Sequence, residues 1–248
     1  MQIREAEDAL FEEWRAARER FVPDGLADEA AYLASSPRIL FVMKETNGFD
    51  EGDLRELLRE GDRSQTWTNI TRWLLGIRAL PGDLLWSELA AVGAQRRREM
   101  LRSVGVMNLK KSTGSHTSIN SDLWRVARDD RTFLQRQYAL YDPDLTICCG
   151  SVTSGAFRQI VLAGMSVDVK QTARGIAFYW RAPGRAVVDF SHPEARVQDS
   201  LQRTSGAPVP RLAARRTRPA PSLDDLEREG PVGIPWDDVL SRIRRRGR

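Results

Sequence analysis

A cation, a carboxylate, a hydroxyl and an amide follow one another in Lys44-Glu45-Thr46-Asn47, directly after the apolar run Ile39–Met43. A carboxylate there can accept a proton, stabilise a cation or orient a water. In open α/β folds, the turn after a buried parallel strand is where ligands bind. A second apolar run, residues 104–108 (VGVMN), ends in Asn108 and is followed by Lys110, Lys111, Ser112, Thr113, Gly114 and Ser115. Cations, hydroxyls and flexible backbone in one loop suit an anion, phosphate above all. The order is not G-x-x-x-x-G-K-[ST], so this is no Walker loop. A third run, Leu145–Cys149, leads into Gly150-Ser151, where Ser151 can cap a helix whose free N–H groups face the same edge. A fourth, Arg185–Phe190, leads into Ser191-His192-Pro193-Glu194. If these runs are parallel strands, Glu45, Asn47, Asn108, Ser151 and His192 share one crevice.

The segments between them must supply the crossovers. Residues 3–21 have apolar positions at helical spacing, and Pro23-Asp24-Gly25 ends that pattern. Short helices are expected over 28–33, 51–59 and 84–92, and a stronger one over 66–77, where Trp67, Ile70, Leu74 and Ile77 share a face. Residues 95–102 read only as a basic stretch. Residues 121–140 hold one or two helices with a break at Asp129-Asp130, and a helix should run from Gly150 to about Ala163. Residues 175–180 and 185–190 read as strands joined by Ala182-Pro183-Gly184, and a helix should follow over 194–202. Long helical connections are what parallel strands require. The expectation is a three-layer α/β/α domain over residues 1–205, with a mostly parallel sheet of about four to five strands and the helices of residues 1–36 packed on it. From Gly206 the composition turns to Pro, Arg and Ala, so 206–248 reads as a basic tail, disordered over 207–221, with short helices after it that dock or bind a partner.

Composition narrows the class. Of the 248 residues, 41% are hydrophobic and 29% charged, as in a soluble globular protein. No apolar run approaches the roughly 20 residues of a membrane span, and the first twenty residues are charged with both signs rather than signal-like, so the expected location is the cytoplasm. Cys148 and Cys149 are adjacent within an apolar run, so a disulfide between them is not expected. Two cysteines and two histidines leave an all-Cys/His zinc site only if all four converge. The net charge of +4 is concentrated in basic clusters, which makes nucleic acid a reasonable partner.

The order of these motifs resembles the uracil-DNA glycosylase superfamily. The resemblance covers residues 38–202 and rests on VMKETNG, MNLKK, YDPDLTICCGSVTSGAF and SHPEAR, in that order. It implies a parallel sheet flanked by helices, a water-activating acidic or amide residue after the first core strand, a base-reading Asn after the second, and a His-Pro motif after the last. The family's proline-containing first turn is replaced by Lys44-Glu45-Thr46-Asn47, and Glu194 stands where the last motif usually has Ser. Either Glu45 or Asn47 takes the catalytic place.

On that resemblance, breaking an N-glycosidic bond develops positive charge on the sugar and negative charge on the base. Glu45 would stabilise the cation and orient water, with Asn47 the weaker candidate, and His192 would donate to the leaving base. Asn108 offers a donor and an acceptor to the base edge, and Phe49, then Trp67, is placed to stack on it. Lys44, Lys110, Lys111, Ser112, Thr113, Ser115, Ser151 and Arg196 would hold phosphates of DNA or of a nucleotide while the base is flipped out. No metal or cofactor is needed. Two other readings use the same crevice: an enzyme acting on a free nucleoside or nucleotide, and a nucleic-acid-binding protein without the chemistry.

Overall fold

A computed structural model describes residues 2–48, 52–80, 82, 84–114, 120–172, 175–194 and 243. The apolar runs ILFVM and LTICC form β2 (Ile39–Met43) and β4 (Leu145–Cys149), in which every residue is buried. Continuous burial is the mark of a strand covered on both faces. β3 (Gly105–Asn108) pairs parallel with β2, β2 with β4, and β4 with β7 (Arg185–Phe190). Antiparallel strands extend this core on both sides: β1 (Gly25–Leu26) beyond β3, and β6 (Ala177–Ala182) then β5 (Lys170–Gln171) beyond β7. Among the described residues the sheet therefore has seven strands, not four to five. The two additional strands, β1 and β5, are two residues long, too short to carry a period.

Alternation along β2 sorts the core. Ile39, Phe41 and Met43 face one apolar cluster with side chains of α3 (Leu54–Glu60), α4 (Gln65–Ala79) and α6 (Ala94–Arg102). Leu40 and Val42 face the other, with α1 (Ile3–Ala16), α7 (Asn120–Asp129), α8 (Arg131–Tyr141) and α9 (Ser151–Ala156). The short α2 (Glu29–Leu33) and α5 (Trp86–Ala90) complete the set. Cys148 and Cys149 are free and buried, and burial pushes both thiols up.

Several boundaries differ from expectation for physical reasons. α1 stops at Ala16, yet Phe21 keeps its apolar contacts, lying edge-on to Phe11 and Trp14 from outside the helix. The helix expected from Gly150 turns π-helical over Phe157–Val161. Residues read as a basic stretch form α6, because Met100 and Leu101 bury against the core. The break between α7 and α8 falls at Asp130, as expected, and its buried carboxylate is bound by Arg18. The helix expected over 194–202 and the tail at 206–248 lie outside the described residues, except Ile243, which is buried in the cluster of α3, α4 and α6. Among the described residues no helix is long and apolar enough to cross a membrane.

Candidate active site at the carboxyl edge of the sheet

The parallel strands lie in the order β3-β2-β4-β7. The chain leaves β2 for β3 on one side, and reaches β4 and then β7 on the other. The order reverses between β2 and β4, and a crevice opens outside the carboxyl ends of strands at such a point. The residues past β2 and β4 flank it directly. Asn108 ends β3 on one side, and Ser191-His192 follows β7 on the other. At about 4.8 Å per strand, β2 and β7 are about 10 Å apart.

Beyond β2 the backbone stays paired with the loop after β3. The N–H groups of Leu109, Lys110 and Gly114 donate to the carbonyls of Met43, Lys44 and Thr46, each at 2.9 Å. This fixes Glu45. Its side chain is 7% exposed, and Lys110 Nζ donates to its Oε2 at 2.6 Å and to Asp122 Oδ2 at 3.0 Å. Gly114 lies against the carboxylate so closely that a Cβ there would stand 2.1 Å from Oε1. Asp122 is bonded in turn by Arg125 Nη2 at 2.7 Å, so the two carboxylates are balanced by Lys110 and Arg125. Lys110, expected on a phosphate, is instead the counter-ion of Glu45.

Asn108 is 2% exposed. Its backbone N–H donates to Asp24 Oδ2 at 2.7 Å, and among the described residues nothing bonds its side-chain amide. Asp24 in turn accepts from Lys111 Nζ through both oxygens at 2.7 Å, and from Gln137 Nε2 at 2.7 Å. Lys111 is therefore not a phosphate ligand. Its ammonium is buried, its third bond goes to Gln137 Oε1 at 2.7 Å, and it lies 4.8 Å over the Trp14 ring. The chain of bonds continues through Tyr141 to Glu7 and from Glu7 to Arg55. It holds the end of β3, and so Asn108, on a charged foundation inside the protein.

The turn out of β4 needs glycine: Gly150 has φ +101°, its N–H donates to Phe190 O at 2.7 Å, and it, not Ser151, caps α9. That bond brings β7's exit beside the start of α9, where Gly150 lies next to His192. α4 grips the same exit. Asn69 Nδ2 donates to Pro193 O at 2.7 Å, Arg72 Nη1 holds Asn69 Oδ1 at 3.0 Å, Thr66 bonds the Glu194 carboxylate, and Trp73 lies edge-on to Phe190.

His192 Nδ1 accepts from the Glu194 N–H at 3.2 Å, which leaves Nε2 as the proton-bearing nitrogen of the neutral ring. Burial pushes its pKa below the usual 6.5; the Glu194 charge opposes this and Lys44 adds to it. A lowered histidine pKa means that the unfolded chain binds more protons in the window just below 6.5. Stability should therefore be lost as pH falls from about 6.5 through the folded value. NMR titration of the ring should give a midpoint below 6.5, and His192→Asn should remove this part of the acid loss. A midpoint at or above 6.5 would contradict the buried, Lys44-facing position.

No protein-family model matches the chain, and no curated protein matches its sequence.

The remaining expected residues divide by position. Lys44 is half-buried, with its ammonium 3.1 Å from Asn120 Oδ1. Ser112 and Thr113 are half-buried, and Ser151 is exposed at the start of α9. Asn47 is exposed and forms a bridge with Gly114, so of the two candidates in the turn only Glu45 is enclosed. Trp67 is in the apolar cluster with Ile70 and Leu74, 6% exposed, so its indole packs the core rather than stacking on a base. Phe49, Ser115 and Arg196 lie outside the described residues. Sequence reasoning missed Asp24, Asn69, Gly114 and Asp122. Asp24 stood in plain view in a Pro-Asp-Gly turn, and a turn reading hides an acid whose partner is 87 positions away.

Proposed function

We propose that the protein is an N-glycosidase of the uracil-DNA glycosylase type, with the three-layer α/β/α fold of that family, acting on a uracil or other damaged or modified base in DNA. One observation carries this reading: at the carboxyl edge of the parallel strands, a partly enclosed carboxylate, Glu45, follows β2 at the switch point, a histidine held as the neutral Nε2–H tautomer, His192, follows β7, and Asn108, whose amide bonds nothing among the described residues, ends β3. As the C1′–N bond breaks, its electron pair leaves with the base. Glu45 faces the developing sugar cation and orients the water that adds to C1′. His192 Nε2–H donates to the base oxygen as charge builds there. Asn108 pairs with the base edge through its donor and acceptor.

The test is an abasic-site assay on oligonucleotides carrying uracil, hypoxanthine or other damaged bases. Wild-type protein should produce abasic sites on at least one, and Glu45→Ala should slow this by about 10²–10⁴-fold, the usual worth of a positioned acid or base. No abasic sites on any of them, or equal rates for both proteins, would overturn the reading. The Glu45–Lys110 ion pair favours one second reading, a nucleic-acid-binding protein in which that carboxylate only braces the loop. Tight DNA binding by both proteins without base release would establish it.

A further inference from the structure

Next to the crevice, Lys110 and Lys111 are committed to carboxylates and Lys44 bonds the Asn120 amide; a denser group of solvent-facing cations lies elsewhere. α6, AQRRREMLR, packs against the last turn of α3. Arg97 Nε donates to Gly61 O at 3.0 Å, Arg98 Nε to Glu60 O at 3.2 Å and Arg102 Nε to Arg59 O at 3.0 Å. Arg59 itself reaches back to Ala27 O. A helix leaves its last carbonyls unpaired at the negative end of its dipole, and these arginines cap them.

A cap of this kind uses one of the five N–H donors of a guanidinium. Nε is anchored while the Nη groups of Arg98 and Arg102 meet no partner among the described residues. Of the carboxylates on α3 and α6 (Glu56, Glu60 and Glu99), only Glu99 makes an ion pair among the described residues, with Arg96. The surplus of positive charge is felt nearby: after burial, the Arg96 charge is the second cause that lowers Arg78. Every cation of α6 is arginine, whose planar fork matches a phosphate with two parallel hydrogen bonds.

The face starts at the amino edge of the sheet, where Arg59 reaches Ala27 O, and the chain leads from it toward the crevice. Gly61 takes the Arg97 bond, and Thr66 holds Glu194 beside His192. Thr66 lies five positions after Gly61, so the two are at most about 17 Å apart. Exposed Arg63 lies on that path. That upper bound corresponds to no more than about five base pairs of duplex, at about 3.4 Å per phosphate along one strand.

We propose that the arginine face of α3 and α6 binds the phosphodiester backbone of duplex DNA flanking the nucleotide held at the crevice. The proposal rests on the glycosylase reading for its ligand.

The test measures binding of a 20-base-pair duplex by fluorescence anisotropy between 50 and 200 mM salt. Each phosphate contact contributes about 0.9 to the slope of log K against log salt. Arg98→Ala/Arg102→Ala should lose about two contacts' worth of slope and weaken binding alike on every sequence. Arg98→Lys/Arg102→Lys should keep most of the slope. Arg63→Ala, which removes no helix cap, should lose about one contact's worth with no change in melting temperature, so the test does not depend on the caps. An unchanged slope in both alanine variants would overturn the proposal. So would polyglutamate binding to wild-type protein with the same affinity and salt slope, which would point to an acidic protein partner. The two readings fail separately: abasic sites formed with an unchanged slope reject the surface alone, and a reduced slope without abasic sites rejects the chemistry alone.

Discussion

Replacing Lys111 by methionine should destabilise the fold by about 3–5 kcal/mol, the usual cost of removing one partner from a buried ion pair. The side chain of Lys111 is 1% exposed and that of Asp24 is fully buried, so no water can take the place of the lost ammonium without rearrangement. Asp24 would keep the N–H groups of Asn108 and Gln137 as donors but lose both bonds from the only cation it contacts among the described residues. Its charge would then be stranded beside the space that the ammonium filled under the Phe11 and Trp14 rings. Urea unfolding followed by circular dichroism would measure the loss. Lys111→Met/Asp24→Leu should recover much of it, since a well-packed apolar pair often matches a buried ionic one. A loss below about 1 kcal/mol for the single variant would place the ammonium at the surface, where ion pairs are worth that little.

Gly114→Ala should have the largest effect on chemistry for the smallest change in structure. Its Cβ would stand 2.1 Å from Glu45 Oε1 and 2.2 Å from Cδ. Gly114 cannot retreat easily, because its N–H is bonded to Thr46 O and it bridges to Asn47. The carboxylate must therefore swing away from Lys110. On the glycosidase reading, base release should fall by about 10²–10⁴-fold, the same loss expected when Glu45 is truncated. Overpacking of this kind costs about 1–3 kcal/mol of stability, so the variant should remain folded. The decisive measurement is non-additivity. In a Glu45→Ala background, where there is nothing left to displace, Gly114→Ala should slow the reaction no further. Multiplied losses in the double variant would mean that Gly114 acts through something other than Glu45.

The parallel core was legible because burial on both faces writes itself as an unbroken apolar run. The bounds of Ile39–Met43, Leu145–Cys149 and Arg185–Phe190 could be read from hydropathy, and so could the polar groups delivered at their ends. Charged residues were harder, because their fate depends on partners far along the chain. Lys110 and Lys111 are neighbours with the same chemistry, yet one stands at the crevice with Glu45 and the other is enclosed with Asp24. Glu7 occupies an amphipathic helix full of surface acids, yet it is buried, bonded by Tyr141 and Arg55 and raised in pKa chiefly by that burial. α6 hid for the opposite reason. Its arginines outweigh Met100 and Leu101 in any pattern, although those two side chains bury the helix.

The two terminal strands carry a consequence for how the molecule meets its surroundings. An open sheet edge is a template on which another chain can crystallise, strand upon strand. Here each edge is closed by a two-residue segment, Gly25–Leu26 on one side and Lys170–Gln171 on the other. Neither is long enough to offer a repeating ladder, and the second carries a lysine where an incoming backbone would have to lie. The sheet is in effect a polymer with shortened ends: on the β6 side, the ladder left without a strand partner among the described residues is cut to residues 179–182.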